Sequence, residues 1–343
     1  MEPVPLCKGE IIVHIQNREQ LAELNPDSRA AAVIVDNAAD AALARDCAGS
    51  RLVGVAIDAR LPQEEDTTSE SWNADWMIDQ FRETVAGALR SKADFLYLRM
   101  AESLQVLRAA VLAVTDQSGI GILVELPVDE ECCMPDGTPL LCALGILQRI
   151  GVAGLLLDGD MDDVEEVIEE LSPHSRAALG LALGLRDGRH GEQLPEAEFY
   201  LANNQEQVER IYPLIPDSDD LEDPMADRDY ILAPVGRNVH FVDATIDISD
   251  PLDLEDHFEE TLLELEDVWS GAIKLEITSM DDIYLLAENQ YLLERPVCLA
   301  AENPELFEKA LRVFNDIALY DGTWELDEEH LERFYRRYGL VSL

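Results

Sequence analysis

Short, uninterrupted apolar runs recur along the first two thirds of the chain. They are Ile11 to Ile15, Ala32 to Asp36, Leu52 to Asp58, Asp94 to Arg99, Gly121 to Glu125, Ala153 to Asp158, Ala178 to Gly184 and Glu198 to Leu201. Continuous rather than alternating hydrophobicity marks strands covered on both faces, as in a parallel sheet. The segments between them have helical spacing. From Ala74 to Ser91, Trp76, Met77, Phe81, Val85 and Leu89 form one stripe. From Ser103 to Thr115 the stripe is Leu104, Leu107, Val111 and Val114; from Asp162 to Leu171 it is Val164, Val167, Ile168 and Leu171. Asp162 and Asp163 open that last helix, where the macrodipole favours acids. Eight strands alternating with helices predict an α/β chain folded as a (β/α)8 TIM-like barrel over residues 8–215. A doubly wound sheet is the alternative, but no glycine-rich phosphate loop follows the first strand.

The rhythm breaks between Pro213 and Asp229, where Pro213, Pro216 and Pro224 surround the acidic run Asp217-Ser218-Asp219-Asp220-Leu221-Glu222-Asp223. This predicts a solvated linker over 216–227. A smaller α/β unit follows over 228–343. Its strands are expected at Tyr230 to Val235, Val239 to Asp243, Ala272 to Ile277, Val297 to Ala301 and Ile317 to Tyr320. Its helices are expected near 254–268, 280–293, 304–314 and 327–338.

Composition narrows the partners. The 343 residues are 47% hydrophobic, enough for a full core, so wholesale disorder is excluded. No apolar run reaches the roughly 18 residues of a membrane helix, and Met1-Glu2-Pro3-Val4-Pro5 lacks the features of a signal peptide. A cytoplasmic protein is expected. With 71 Asp+Glu against 25 Lys+Arg, the net charge is −46. Such a surface repels phosphate backbones and anionic headgroups, so neither nucleic acid nor membrane is an expected partner. Lys8, Lys92, Lys274 and Lys309 are the only lysines. An acidic, Lys-poor surface fits a protein working at high salt, or an ordinary acidic protein from a GC-rich organism.

Candidate chemistry sits where parallel strands end. Asp36, Asp58, Arg99, Glu125 and Asp158 end strands of the first unit; Asp243, Glu276, Glu302 and Asp321 lie at or just past strand ends of the second. Carboxylates around one mouth can hold Mg²⁺ or Ca²⁺, form an ion pair with Arg99, or simply be solvated. Histidines 14, 174, 190, 240, 257 and 330 are dispersed, with no ligand spacing. His14 lies inside a strand pattern and reads as a core imidazole. No nucleophile elbow or Walker loop is present. Of Cys7, Cys47, Cys132, Cys133, Cys142 and Cys298, none forms a CxxC pair, so no disulfide framework is expected. The adjacent Cys132 and Cys133 can grip a soft metal. No third ligand is evident nearby, so they read as incidental.

Several segments resemble homocysteine S-methyltransferases, the zinc-dependent barrels that include the first module of cobalamin-dependent methionine synthase. Ala93 to Met100 followed by Ser103-Leu104 is similar to the family's fourth strand and helix start. Asp136-Gly137-Thr138-Pro139-Leu140 resembles its DGTPL segment, Gly151 to Leu157 its sixth strand, and Asn203 to Val208 the turn after its eighth. Arg295 to Leu306 and Ala318-Leu319-Tyr320-Asp321-Gly322 are similar to a segment of pterin-binding methyltransferase barrels, although the family's Asp falls at Ala300.

The resemblance implies a zinc held by three cysteine thiolates, one ending the sixth strand and an adjacent pair ending the eighth. Here those ends read Asp158-Gly159 and Tyr200-Leu201-Ala202-Asn203, the family's glutamate is Arg99, and the N-terminal DGAMGT loop is missing. Zinc is therefore implied by the family while its ligands are absent, and no cofactor, metal site or catalytic residue is assigned. Three readings stay open. One is a diverged, non-catalytic relative in one-carbon metabolism, binding a small molecule or a corrinoid or folate methyltransferase partner. Another is an active methyltransferase with an altered site. The third is an unrelated barrel enzyme using a divalent metal. The ligand-binding mouth is expected to be built from Asp58, Arg99, Glu125, Asp158 and Asn203.

Overall fold

Every one of the eight apolar runs forms a strand: β1 (Glu10–Ile15), β2 (Ala30–Val35), β3 (Leu52–Asp58), β4 (Phe95–Arg99), β5 (Gly121–Pro127), β6 (Gly154–Asp158), β7 (Ala178–Ala182) and β8 (Phe199–Ala202). Each is parallel to its neighbours, and β8 pairs with β1 to close a barrel. The chain is thus a (β/α)8 TIM-like barrel with an α/β extension. The computed structural model describes residues 4–5, 8–25, 28–61, 74–183, 194–216, 230–254, 262 and 270–343. The acidic linker at 217–227 and nearly all of the helix expected at 254–268 lie outside the described residues, as do Cys7, His190 and His257.

The barrel helices are α1 (Arg18–Ala22), α2 (Ala41–Ala48), α3 (Ala74–Arg90), α4 (Leu104–Thr115), α5 (Leu140–Arg149), α6 (Met161–Leu171) and α7 (Gln205–Ile211). Side-chain caps start several of them. Ser103 accepts from the Val106 N–H at α4, and Asn204 from the Gln207 N–H at α7, each satisfying a donor with no partner inside its helix. Among the described residues no helix is long and apolar enough to cross a membrane.

Alternate residues of a strand point to opposite faces. Ile12, Ala32, Ile34, Ala56, Phe95, Tyr97, Leu123, Leu156, Phe199 and Leu201 make one buried cluster. Two phenylalanines fill its lower layer because glycines leave them room. Gly54 pairs with Phe95 and Gly180 with Phe199. A Cβ on Gly54 would stand 2.4 Å from the Phe95 ring, and one on Gly180 2.7 Å from the Phe199 ring.

Contacts divide the chain into two units. One holds Met1–Pro62, Ile78–Leu140 and Val152–Ala226; the other holds Gln63–Met77, Leu141–Gly151 and Asp227–Leu343. The second unit therefore draws on three stretches of chain. It contains a hairpin of β9 (Ile231–Val235) and β10 (Asn238–Val242), and a parallel sheet in the order β11 (Ile248–Asp253), β12 (Ala272–Glu276), β13 (Val297–Ala300), β14 (Ala318–Tyr320), β15 (Val341–Ser342). Helices α8 (Met280–Asn289), α9 (Pro304–Val313) and α10 (Glu328–Tyr338) connect β12 to β15. Phe307 of α9 packs edge-on against Tyr320 of β14 and stacks on Phe334 of α10.

Within this unit α5 runs close to β9, since a Cβ on Gly145 would meet Pro234 Cγ at 2.6 Å. Two departures from the sequence reading concern strands. β9 and β10 form an antiparallel hairpin rather than joining the parallel sheet, because Gly236, at φ +58°, and Arg237 turn the chain in two residues. β11 and β15 carried no strand signal: β11 reads Ile-Ser-Asp-Pro-Leu-Asp, and β15 has two residues.

Candidate functional site

The inward parity of the barrel cluster, continued toward the strand C-termini, sets one more layer. Ile12 is followed by His14, Ile34 by Asp36, Ala56 by Asp58, Tyr97 by Arg99, Leu123 by Glu125, Leu156 by Asp158 and Leu201 by Asn203. The core residues are apolar and the layer above them is ionic. This is the end of a parallel barrel where catalytic and binding groups collect.

Arg99 is the hub. Its Nε donates to Asp58 at 2.7 Å and its Nη1 to Asp36 at 2.9 Å. His14 Nε2 lies 2.6 Å from the same Asp36 Oδ1. An ionised carboxylate only accepts, so His14 donates from Nε2. Nε2 then has no lone pair for Arg99 Nη1, 3.2 Å away, and both donors converge on Asp36. Burial alone would raise the Asp36 carboxyl. The His14 hydrogen bond and charge, with Arg99 beside them, outweigh it and hold Asp36 below the usual carboxylate range. For Arg99, burial favours the neutral form, but Asp58 and Asp36 more than compensate and raise its pKa.

Tyr97, fully buried beneath Arg99, meets the His14 ring edge-on at 5.9 Å and donates its hydroxyl to Glu125 Oε2. Burial pushes its phenol well above the ordinary value, and the Glu125 and Asp158 carboxylates add to the shift. Asn203 Nδ2 donates to the Leu183 carbonyl at 3.1 Å, and its N–H donates to Gln207 Oε1 at 2.7 Å. The expected mouth residues thus divide. Asp58 and Arg99 are in direct contact, Glu125 and Asp158 act on Tyr97, and Asn203 is tied to loop backbone.

His14, Asp36 and Tyr97 complete the network. The sequence marks Asp36 only as a strand end, and His14 only as a core imidazole. His14 is indeed buried, at 4% exposure, but its ring is hydrogen-bonded to Asp36. The signal that would have found it is its spacing of two from Ile12, which places it in the same inward row. Met100, next after Arg99, has φ +59°. Such a backbone costs a non-glycine residue about 1 kcal/mol. It is held by Arg60 Nε on the Met100 carbonyl and by the Ala59 N–H on that of Arg99.

The DGTPL-like segment builds a loop. Asp136 accepts from the Thr138 N–H and from the Leu104 N–H at the start of α4, and Gly137 takes φ +77°. The zinc site that the resemblance implies does not fit the residues present. β6 ends at Asp158, and a Cβ on Gly159 would stand 2.8 Å from the Val128 carbonyl oxygen; β8 ends at Ala202, before Asn203. The described cysteines lie on α2 (Cys47), in the β5–α5 loop (Cys132, Cys133), on α5 (Cys142) and on β13 (Cys298). Burial, and then Glu166, Glu170, the neighbouring Cys133 and Asp163, push the Cys132 thiol up. A cavity of about 390 Å³ opens at the opposite end of the barrel, lined by Lys8, Glu165, Glu169, Glu196 and Glu198 among others. That end of such barrels serves stability rather than chemistry.

No family model matches the chain, and no curated protein matches it. Among solved structures it is similar to the homocysteine methyltransferase MmuM from Escherichia coli in its apo form, at 14% identity and TM-score 0.47 over 60% of this chain and 95% of that one. It is also similar to a type I 3-dehydroquinate dehydratase from Clostridium difficile, at 9% identity and TM-score 0.41 over 61% and 92% of the two chains. A 3-hexulose-6-phosphate synthase from Salmonella typhimurium aligns at 11% identity and TM-score 0.39, over 60% and 97%. The class stated here, a (β/α)8 barrel, rests on the strand pairing described above.

Proposed function

We propose that this barrel binds a small polar molecule at its C-terminal mouth. In this reading it is a diverged protein on the plan of homocysteine S-methyltransferases that does not carry out zinc-dependent thiol methylation. The observation that carries the reading is the ionic layer, with Arg99 clamped between Asp36 and Asp58 directly above an apolar core. Such a network is costly to desolvate, and it occupies the end of the barrel where ligands bind.

The ligand brings hydrogen-bond donors. Among the described residues, four carboxylates share the layer with one guanidinium that two of them already hold. Glu125 faces the neutral Tyr97 hydroxyl, so it has acceptor capacity for a ligand hydroxyl or amine. A second reading, an acid–base enzyme, is favoured by the His14–Asp36 pair, in which a carboxylate fixes the imidazole proton on Nε2.

Thermal melts against amines, polyols, amino acids including homocysteine, carboxylates and phosphates test the proposal. A donor-rich compound should raise the melting temperature, and Glu125→Gln should remove that rise. Stabilisation that survives Glu125→Gln and Asp58→Asn together would place binding elsewhere.

A further inference from the structure

We propose that Lys274, in the second unit, is an amine that captures a small neutral aldehyde or ketone as an imine. The site does not depend on how the barrel mouth is read. Lys274 lies in a row of in-register residues across the parallel sheet, with Cys298 on β13, Leu319 on β14 and Val341 on β15. The other three are apolar and buried, and Lys274 is buried with them. Tyr320, next after Leu319, packs on Phe307 of α9, so the row takes the opposite face of the sheet. The ammonium group reaches toward the C-terminal ends of the strands, where open α/β sheets bind ligands. There it donates to Asp321 Oδ2 at 2.5 Å and to Thr323 Oγ1 at 2.6 Å, both just past β14. Asp321 is fixed in turn, since its Oδ1 accepts from the Thr323 N–H at 3.0 Å. The Asp321 side chain is 20% exposed against 8% for Lys274, so the pair opens to solvent on the carboxylate side.

A lysine buried among apolar residues is either half of a structural ion pair or a reactive amine. Composition favours the amine. Of 25 basic residues only four are lysines, so a chain that meets most of its need for cations with arginine keeps lysine here. An arginine would grip Asp321 through two parallel hydrogen bonds and never lose its proton, whereas a lysine amine gives one up and attacks carbonyl carbon. The condensation balances within the cluster. Asp321 takes one ammonium proton, and the freed Nζ electron pair forms a bond to the carbonyl carbon. A second Nζ proton passes to the former carbonyl oxygen through the Thr323 hydroxyl. Asp321 then returns the first proton, the carbon–oxygen bond breaks, and water leaves. The product is a protonated imine paired with the Asp321 carboxylate, so the charge at the site is unchanged and nothing is oxidised. The ligand is neutral because Asp321 already holds the Lys274 charge, and Glu276 stands two residues on along the same face of β12. Both carboxylates repel an anionic carbonyl compound.

Trapping with glycolaldehyde and cyanoborohydride, followed by peptide mapping of the folded full-length protein, tests this. Lys274 should be labelled ahead of Lys92 and Lys309, although both of those are exposed. Glyoxylate, of similar size but anionic, should lower the ratio of Lys274 to Lys92 labelling. Thr323→Val should slow the labelling of Lys274 by about a hundredfold and leave that of Lys92 unchanged. Labelling that follows exposure, with Lys274 modified only on unfolding, overturns the proposal and leaves Lys274 and Asp321 a structural ion pair. A Lys274 rate indifferent to Thr323→Val, in a variant that melts like wild type, overturns it as well.

Discussion

Arg99 and Asp58 occupy matching register positions on neighbouring strands β4 and β3, and the guanidinium Nε donates to the carboxylate at 2.7 Å. Adjacent parallel strands bring their terminal residues side by side, so the pair follows from register alone. Asp36, from β2, reaches the same guanidinium. Arg99→Met would leave Asp36 and Asp58 facing each other without the cation. A loss of about 2 kcal/mol in urea unfolding is expected, since removing one partner of a partly buried pair exposes the other to its desolvation cost. The double variant Arg99→Met, Asp36→Asn should recover part of it. Additive losses would show that the two groups are not coupled.

Asp36 sets a pH dependence. Its folded pKa lies below the ordinary carboxylate value, so between the two values the unfolded chain binds more protons. Stability therefore rises with pH through that window. The contribution is complete above roughly pH 5 and lost as pH falls through the lowered folded value. Asp282 and Asp321 act in the same sense. Asp36→Asn should flatten the acid limb of the stability profile relative to wild type. Parallel limbs would remove Asp36 as a contributor.

Gly54 is a packing residue. A methyl group there meets the Phe95 ring at 2.4 Å inside a closed barrel, where neighbours have little room to shift. Gly54→Ala should destabilise by about 1–3 kcal/mol, and adding Phe95→Leu should restore part of the loss. Denaturation midpoints of the two variants decide it.

In the second unit Lys274, 6% exposed, reaches Asp321 at 2.5 Å and Thr323 at 2.6 Å. Lys274→Met strands the Asp321 carboxylate and should cost about 3 kcal/mol. Cys298 lies beside Lys274 in register, fully buried, with its thiol pushed up to about 12 by burial and by Asp321. It should resist thiol reagents until the unit unfolds; alkylation at the rate of an exposed cysteine would contradict this packing.

The 71 acids against 25 bases repel one another wherever they face water. Salt screens that repulsion, so the melting temperature should climb from low to molar NaCl. A flat profile would mean that local ion pairs already balance the surface charge.

The barrel was legible because its strands are covered on both faces, and continuous apolar runs survive in sequence as a plain signal. The ionic layer was legible only in part. Asp58, Arg99, Glu125 and Asp158 stand at the ends of those runs, where a change from apolar to charged is visible. His14 lies one residue before the end of β1, amid Val13 and Ile15, and only the alternation of the closed barrel shows that it shares a row with Ile12. β11 is not legible because Ser249, Asp250 and Pro251 interrupt it; its parallel pairing with the next strand, β12, makes it a strand.

Helix α5 has consequences for the order in which the chain is made. Leu140, Cys142, Ala143, Leu144, Ile146 and Leu147 bury nearly its whole surface, and the unit to which most of the helix belongs is finished only by β15. During synthesis this helix leaves the ribosome with β5 and β6, long before Pro234 exists to sit against Gly145. A nascent chain halted ahead of the second unit therefore carries an apolar helix without its intended neighbour, the kind of surface that chaperones hold.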